Sequence, residues 1–177
     1  MWCCLVGSEM CIRDSDSAGI ACINSNDKLV VTKRKGKVSE LKSALSNSEI
    51  YNLGIAHTRW ATHGKPNQLN AHPHLDQSKK IALVHNGIIE NYDPIKKFLL
   101  SKNIKFKSET DTEVLVQLIG YFYKNGKMNF EQSVRAALQR VDGAYGIVIL
   151  NTDYPDMMIA ARKAVSYTHL RAHETTP

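Results

Sequence analysis

The sequence predicts an α+β fold in which the helices form their own block instead of alternating with strands. Three observations predict it. Short runs rich in Ile, Val and Leu, bounded by Asn, Asp, Gly or Pro, fill the first half. Apolar stripes at helical spacing follow, and strand-like runs then return. That order suits stacked layers better than a doubly wound parallel sheet.

Taken in order, strands are expected at Ala18 to Ile23, Lys28 to Thr32, Leu53 to Thr58 and Ile81 to His85. A helix-like stretch runs from Ser39 to Leu45. Ile95, Phe98 and Leu99 recur at helical spacing after Asp93-Pro94, which reads as a cap with proline in the first turn. Val114, Leu115, Leu118, Ile119 and Phe122 make a second stripe that stops at Asn125-Gly126. Phe130, Val134, Ala137, Leu138 and Val141 make a third. After Asp142-Gly143 the runs AYGIVIL and MMIAA are strand-like again. No internal repeat or linker interrupts this order.

The bulk properties exclude little beyond the extremes. A chain of 177 residues, 43% hydrophobic and 23% charged, is long enough for one domain with a sizeable core and is neither disordered nor fibrous in composition. No apolar run approaches the ~18–20 residues needed to cross a bilayer, and the first residues lack a charged leader followed by a sustained apolar stretch. A soluble, cytoplasmic protein without a membrane partner is expected. The net charge of +6 and the run Lys33-Arg34-Lys35-Gly36-Lys37 invite a nucleic-acid reading. No aromatic side chains are interleaved to stack on bases, so a solvated loop is the better expectation. Cys3, Cys4 and Cys11 have no nearby histidine at zinc spacing, so no metal site follows from them. Cys22 shares a face with Ile20 by alternation and reads as a core thiol.

Residues able to do chemistry concentrate between His57 and Asn91. In HTRWATHG an arginine adjoins a tryptophan, two histidines and two threonines, a set able to clamp a carboxylate through the guanidinium fork. An arginine paired with a structural acid is the plainer alternative. In HNGIIEN, Asn86 can donate from its amide, and Gly87 lets a backbone N–H approach a ligand; paired donors of this kind stabilise an oxyanion. Asn-Gly is also an ordinary turn signal. Five of the seven histidines lie between His57 and His85, and His72-Pro73-His74 sets two imidazoles on one side of an extended segment. No carboxylate stands nearby at a spacing that completes a catalytic metal site, so none is expected. In SETDTEVL, Ser108 or Thr110 can cap the next helix. Asp111 either favours that helix's dipole or, beside a pocket, takes an ammonium group.

Seven motifs now stand in order: DSAGIA (Asp16 to Ala21), GKV (Gly36 to Val38), HTRWATHG (His57 to Gly64), NAHPH (Asn70 to His74), HNGIIEN (His85 to Asn91), SETDTEV (Ser108 to Val114) and GAYG (Gly143 to Gly146). Together they closely resemble the glutaminase domain of the glutamine–fructose-6-phosphate aminotransferase family, the glucosamine-6-phosphate synthases, over about Asp16 to Lys163. The resemblance implies a class II glutamine amidotransferase with the N-terminal-nucleophile hydrolase fold, a four-layer αββα sandwich, here truncated at both ends. It also implies cleavage of L-glutamine to glutamate and ammonia for amino-sugar synthesis. On that pattern Arg59 holds the substrate α-carboxylate and Asp111 its α-ammonium; Trp60, Thr62 and His63 line the pocket, and Asn86 and Gly87 form the oxyanion hole. No cofactor is implied. In the full-length relatives a C-terminal sugar-phosphate isomerase region binds fructose 6-phosphate, and the protein is a homodimer.

The two ends depart from the family. The family opens Met-Cys-Gly-Ile, and the exposed cysteine uses its own α-amine, which titrates near ~8, as the base for its thiol. This chain opens Met1-Trp2-Cys3-Cys4, and a bulky second residue preserves the initiator methionine, so the nucleophile is expected to be absent. Residues 1–15 and 164–177 resemble translated sequencing adapter around a partial amidotransferase domain at 16–163; on that expectation Cys3, Cys4, Cys11, His169 and His173 carry no function. Two other functional classes fit the same sequence: a glutamine-binding or regulatory module without hydrolysis, and a basic nucleic-acid-binding domain.

Overall fold

Among residues 16–45, 50–59 and 67–163, which the computed structural model describes, seven strands fall into two antiparallel sheets. The first has the order β2-β1-β3, with β1 (Ser17–Asn24) flanked by β2 (Leu29–Lys35) and β3 (Tyr51–Arg59). The second has the order β4-β5-β6-β7, from β4 (His74–Leu75), β5 (Ile81–Ile89), β6 (Gly143–Asn151) and β7 (Met158–Lys163). Four helices join them: α1 (Val38–Ser43), α2 (Tyr92–Ser101), α3 (Asp111–Asn125) and α4 (Phe130–Leu138).

Side-chain alternation explains the layering. On β5, Ile81, Leu83 and Ile89 point one way into a core shared with Leu99 of α2, Leu115, Leu118 and Ile119 of α3 and Phe130 of α4. The intervening Ala82 and Val84 point the other way, and with Val148 and Leu150 of β6 they meet Ala21, Ile23 and Ile55 of the first sheet. The second sheet is therefore buried on both faces, which is why its strands carry near-continuous apolar runs. Each of the larger side chains contributes roughly 1.5–3 kcal/mol by leaving water. The expected α+β class holds, with two stacked sheets and the three longer helices outside the second.

Helix α3 packs between α2 and α4 and is buried continuously from Thr112 to Ile119. Thr110 caps it by accepting from the Glu113 backbone N–H, and it stops at Gly126, as the sequence suggests. Asn129 starts α4 with a reciprocal capping box to Gln132.

Several expectations are corrected. The cationic run is not a loop: β2 continues to Lys35, with Lys33 and Arg34 half-buried and paired to Gly19 and Ala18. Asp93-Pro94 is not a cap, because α2 already begins at Tyr92 after Asn91, and proline fits inside a first turn whose N–H groups have no partner anyway. Strand β5 runs on through His85, Asn86 and Gly87 to Ile89, its polar half held by pairing with β6. Cys22 is buried on the Ile20 face, against Gly54, while Ala21 and Ile23 fill the inter-sheet core. The expectations for residues 1–15 and 164–177 lie outside the described residues. Among the described residues no helix is long and apolar enough to cross a membrane.

Candidate active site

The space between the sheets changes character along its length. One end is apolar, as described above. Following the same alternation along the strands brings Ser17 and Gly19 of β1, His57 and Arg59 of β3, and Asn86 and Gly146 of β5 and β6 to the other end. Ser17 pairs with Arg59, Gly19 with His57, and Asn86 with Gly146. Arg59 is only 6% exposed, whereas Asn86, Gly87 and Ile88 are open to solvent. The polar end of the layer is thus floored by buried charge and rimmed by accessible backbone.

The first turn of α3 completes this end. The Asp111 carboxylate accepts from the Ile89 backbone N–H at 2.9 Å and from the Thr112 backbone N–H at 2.8 Å, which ties the helix start to β5. His85 Nδ1 lies 3.9 Å from Asp111 Oδ2 and 2.9 Å from Thr112 Oγ1. His72 Nε2 lies 3.1 Å from the same hydroxyl, and its Nδ1 is 3.2 Å from His57 Nδ1. A Cβ at Gly19 would stand 2.0 Å from the His72 carbonyl oxygen, so only glycine lets β1 pack onto the histidine segment. Beside this network, His74 Nε2 meets Thr110 Oγ1 at 3.0 Å. The buried Glu113 carboxylate accepts from the backbone N–H groups of Lys107 and Ser108 and from the Ser108 hydroxyl.

The electrostatics follow from burial. Desolvation favours the neutral form of every imidazole here: it lowers His57 to about 4, and it lowers His72, His74 and His85 as well, with Asp111 partly opposing it at His85. Burial also pulls down the Arg59 guanidinium, while the Asp111 and Asp16 carboxylates push it back up; a guanidinium keeps its charge under such pressure. The result is a buried guanidinium, Arg59, facing the field of the Asp111 and Asp16 carboxylates and set among neutral rings.

Of the residues expected in the site, Arg59 and Asp111 stand at the same polar end, joined through His57, His72 and Thr112, and Asn86 and Gly87 lie on the strand whose Ile89 anchors Asp111. Trp60, Thr62 and His63 lie outside the described residues. Gly87 has a reason to be glycine beyond ligand access: its φ is +136°, and a Cβ would come 2.1 Å from the Ala144 carbonyl oxygen on β6. His72 and His74, whose rings are 5.1 Å apart, each turn a nitrogen to a threonine hydroxyl. Among the described residues no group of three His, Cys, Asp or Glu side chains is placed to hold a metal ion. Thr112, Glu113 and Ser17 were not legible as site residues. The SETDTEV motif hinted at the first two and DSAGIA at Ser17, whose place in the site follows from its pairing with Arg59.

Comparison with known proteins identifies the family. Residues 57–175 match the model of a glutamine amidotransferase domain family. Glutamine–fructose-6-phosphate aminotransferase [isomerizing] of Bacteroides thetaiotaomicron is 53% identical over 153 residues, covering 86% of this chain and 25% of that protein. The protein of the same name from Chlorobaculum tepidum is 49% identical over 156 residues, covering 85% and 25%. The chain thus spans about a quarter of the length of these relatives. Among solved structures, the glutamine phosphoribosylpyrophosphate amidotransferase of B. subtilis superposes with a TM-score of 0.70 at 27% identity, over 87% of this chain and 32% of that one. A glutamine aminotransferase class-II domain protein from Silicibacter pomeroyi, with a TM-score of 0.60 at 16% identity over 88% of this chain and 77% of that one, shares the fold.

Proposed function

The chain belongs to the glutamine amidotransferase domain family, and on that premise we propose that it binds L-glutamine at the polar end of the inter-sheet space and presents the side-chain amide for hydrolysis to glutamate and ammonia. The observation that carries this reading is the placing of opposite charges at one end of the inter-sheet space, with Arg59 buried at the end of β3 and the Asp111 carboxylate fixed at the start of α3, as the two ends of a zwitterionic amino acid require. Arg59 takes the α-carboxylate through its planar fork, and Asp111, already oriented by two backbone N–H groups, takes the α-ammonium. Asn86 and Gly87, on the exposed stretch of β5, supply donors where negative charge develops on the amide oxygen.

Cys22 does not serve as nucleophile in this scheme. It is the free cysteine among the described residues, and burial in β1 pushes its thiol up. The described residues thus supply capture and oxyanion stabilisation without an attacking thiol, which keeps a second reading in play: a glutamine-binding module that does not hydrolyse. The names of the relatives, and the quarter of their length that this chain spans, support a wider role. In the longer protein the ammonia passes to a further region that aminates fructose 6-phosphate to glucosamine 6-phosphate, in a cytoplasmic homodimer.

The test is calorimetric titration of the full chain with L-glutamine beside Arg59→Lys. A point-charge ammonium cannot make two parallel hydrogen bonds, so binding should weaken about tenfold or more, corresponding to ~1.4 kcal/mol. An unchanged Kd would remove Arg59 from the carboxylate role.

A further inference from the structure

Thr112 Oγ1 is the point where three side chains meet. His85 Nδ1 lies 2.9 Å away, His72 Nε2 3.1 Å and Asp111 Oδ1 3.4 Å. A hydroxyl carries one hydrogen and accepts two bonds. An ionised carboxylate only accepts, so a full set of contacts requires the hydroxyl hydrogen to point to Asp111 and both imidazoles to donate to the hydroxyl. The surroundings of His85 support the same assignment. Its Nε2 is buried and has no hydrogen-bond partner among the described residues, and a bare ring nitrogen is tolerated there better than an orphaned N–H would be. His85 then carries its hydrogen on Nδ1, and His72 carries one on Nε2. His72 Nδ1 is left as an acceptor, which the His57 Nδ1–H fills at 3.2 Å. Every hydrogen in the chain His57, His72, Thr112 points toward Asp111, and His85 joins at the hydroxyl.

We propose that Thr112 is a positioning residue, its hydroxyl gathering the hydrogen bonds donated by His72 and His85 and turning one toward the Asp111 carboxylate. The inference rests on the reading of Asp111 as the ammonium partner. Chained donors polarise one another and fix the acceptor's orientation. Because the relay is built from neutral rings, it orders the carboxylate without adding a positive charge that would repel the ligand's ammonium. Thr112 is 1% exposed and cannot touch a ligand in the open mouth of the site, so its effect passes through Asp111.

Imidazole nitrogen NMR on the full chain, together with calorimetric titration of L-glutamine and of the analogue lacking the α-amino group, tests this directly. The hydrogen should be found on Nδ1 of His85 and on Nε2 of His72. Thr112→Val should weaken L-glutamine about five- to tenfold, the worth of one hydrogen bond, and leave the analogue unchanged; Thr112→Ser should restore L-glutamine affinity. A His85 hydrogen on Nε2 would overturn the relay, as would a valine variant that binds both ligands like the parent. Equal losses for both ligands would make Thr112 merely structural. If the parent itself fails to bind L-glutamine, the functional reading falls, while the ring assignments still decide the hydrogen-bond order.

Discussion

Replacing Gly87 by alanine separates the backbone demand at this position from any demand made by a ligand. The new Cβ would stand 2.1 Å from the Ala144 carbonyl oxygen and 2.8 Å from the Tyr145 Cα, both backbone atoms of the neighbouring strand. Strands β5 and β6 would have to part by about 1 Å to restore van der Waals distance, inside a pairing that runs from Ile81↔Asn151 to Ile89↔Gly143. The φ of +136° adds strain for any residue with a Cβ. Backbone strain of about 1–3 kcal/mol and overpacking of about 1–3 kcal/mol together remove a large part of a domain's ~5–15 kcal/mol. At ~2–4 °C per kcal/mol for a chain of this size, the melting temperature should fall by at least about 5 °C. Gly146 is the control: it pairs with Asn86, and the nearest atom to a Cβ there is 3.9 Å away, so Gly146→Ala should cost less than about 1 kcal/mol. Thermal unfolding followed by far-UV circular dichroism reads both. A Gly87→Ala variant that melts within about 1 °C of the parent, or no lower than Gly146→Ala, would refute the reasoning.

Glu113→Gln should lower the urea midpoint by the equivalent of about 2–4 kcal/mol with an unchanged slope, because an amide nitrogen would face the Lys107 and Ser108 donors that the carboxylate now satisfies; an unchanged midpoint would show that those bonds contribute nothing net. Acidification should destabilise the domain before its carboxylates titrate. The pKa values of His57, His72, His74 and His85 are lowered in the fold, so below about 6.5 the unfolded chain takes up protons that the folded chain refuses, and stability falls until the folded rings titrate, near about 4 for His57. Each withheld proton steepens the fall by about 1.4 kcal/mol per pH unit; a urea midpoint that stays constant from pH 7 to pH 5 would contradict this.

What the sequence made legible was the local part of the structure. Stripes such as Val114 to Phe122 with Gly126 behind them mark α3 because the same residues decide both period and stop. The strand cores are legible for the same reason, but their polar ends are not. Asn86 and Gly87 continue β5 only because Gly146 and Tyr145 pair with them from a distant segment, and Lys33 stays in β2 because Gly19 lies opposite it. A two-residue strand such as β4 has no period to detect. In the site, Arg59 and Asp111 stand out in their motifs, but the path between them through His57, His72 and Thr112 is set by tertiary structure. The role of Thr112 was hidden, since its partners His72 and His85 lie 40 and 27 positions away; within its own segment it is only a helix-start threonine.

The central question is whether Arg59 and Asp111 hold the two ends of one amino acid. The direct measurement is calorimetric titration of the full chain and of Asp111→Asn with L-glutamine and with the analogue lacking the α-amino group. A charge-assisted contact of about 1.5–3 kcal/mol corresponds to a loss of roughly 10–150-fold in affinity. That loss is expected for L-glutamine alone, with the analogue bound equally by both proteins. L-glutamine bound as tightly by Asp111→Asn as by the parent, or both ligands weakened to the same extent, would contradict it.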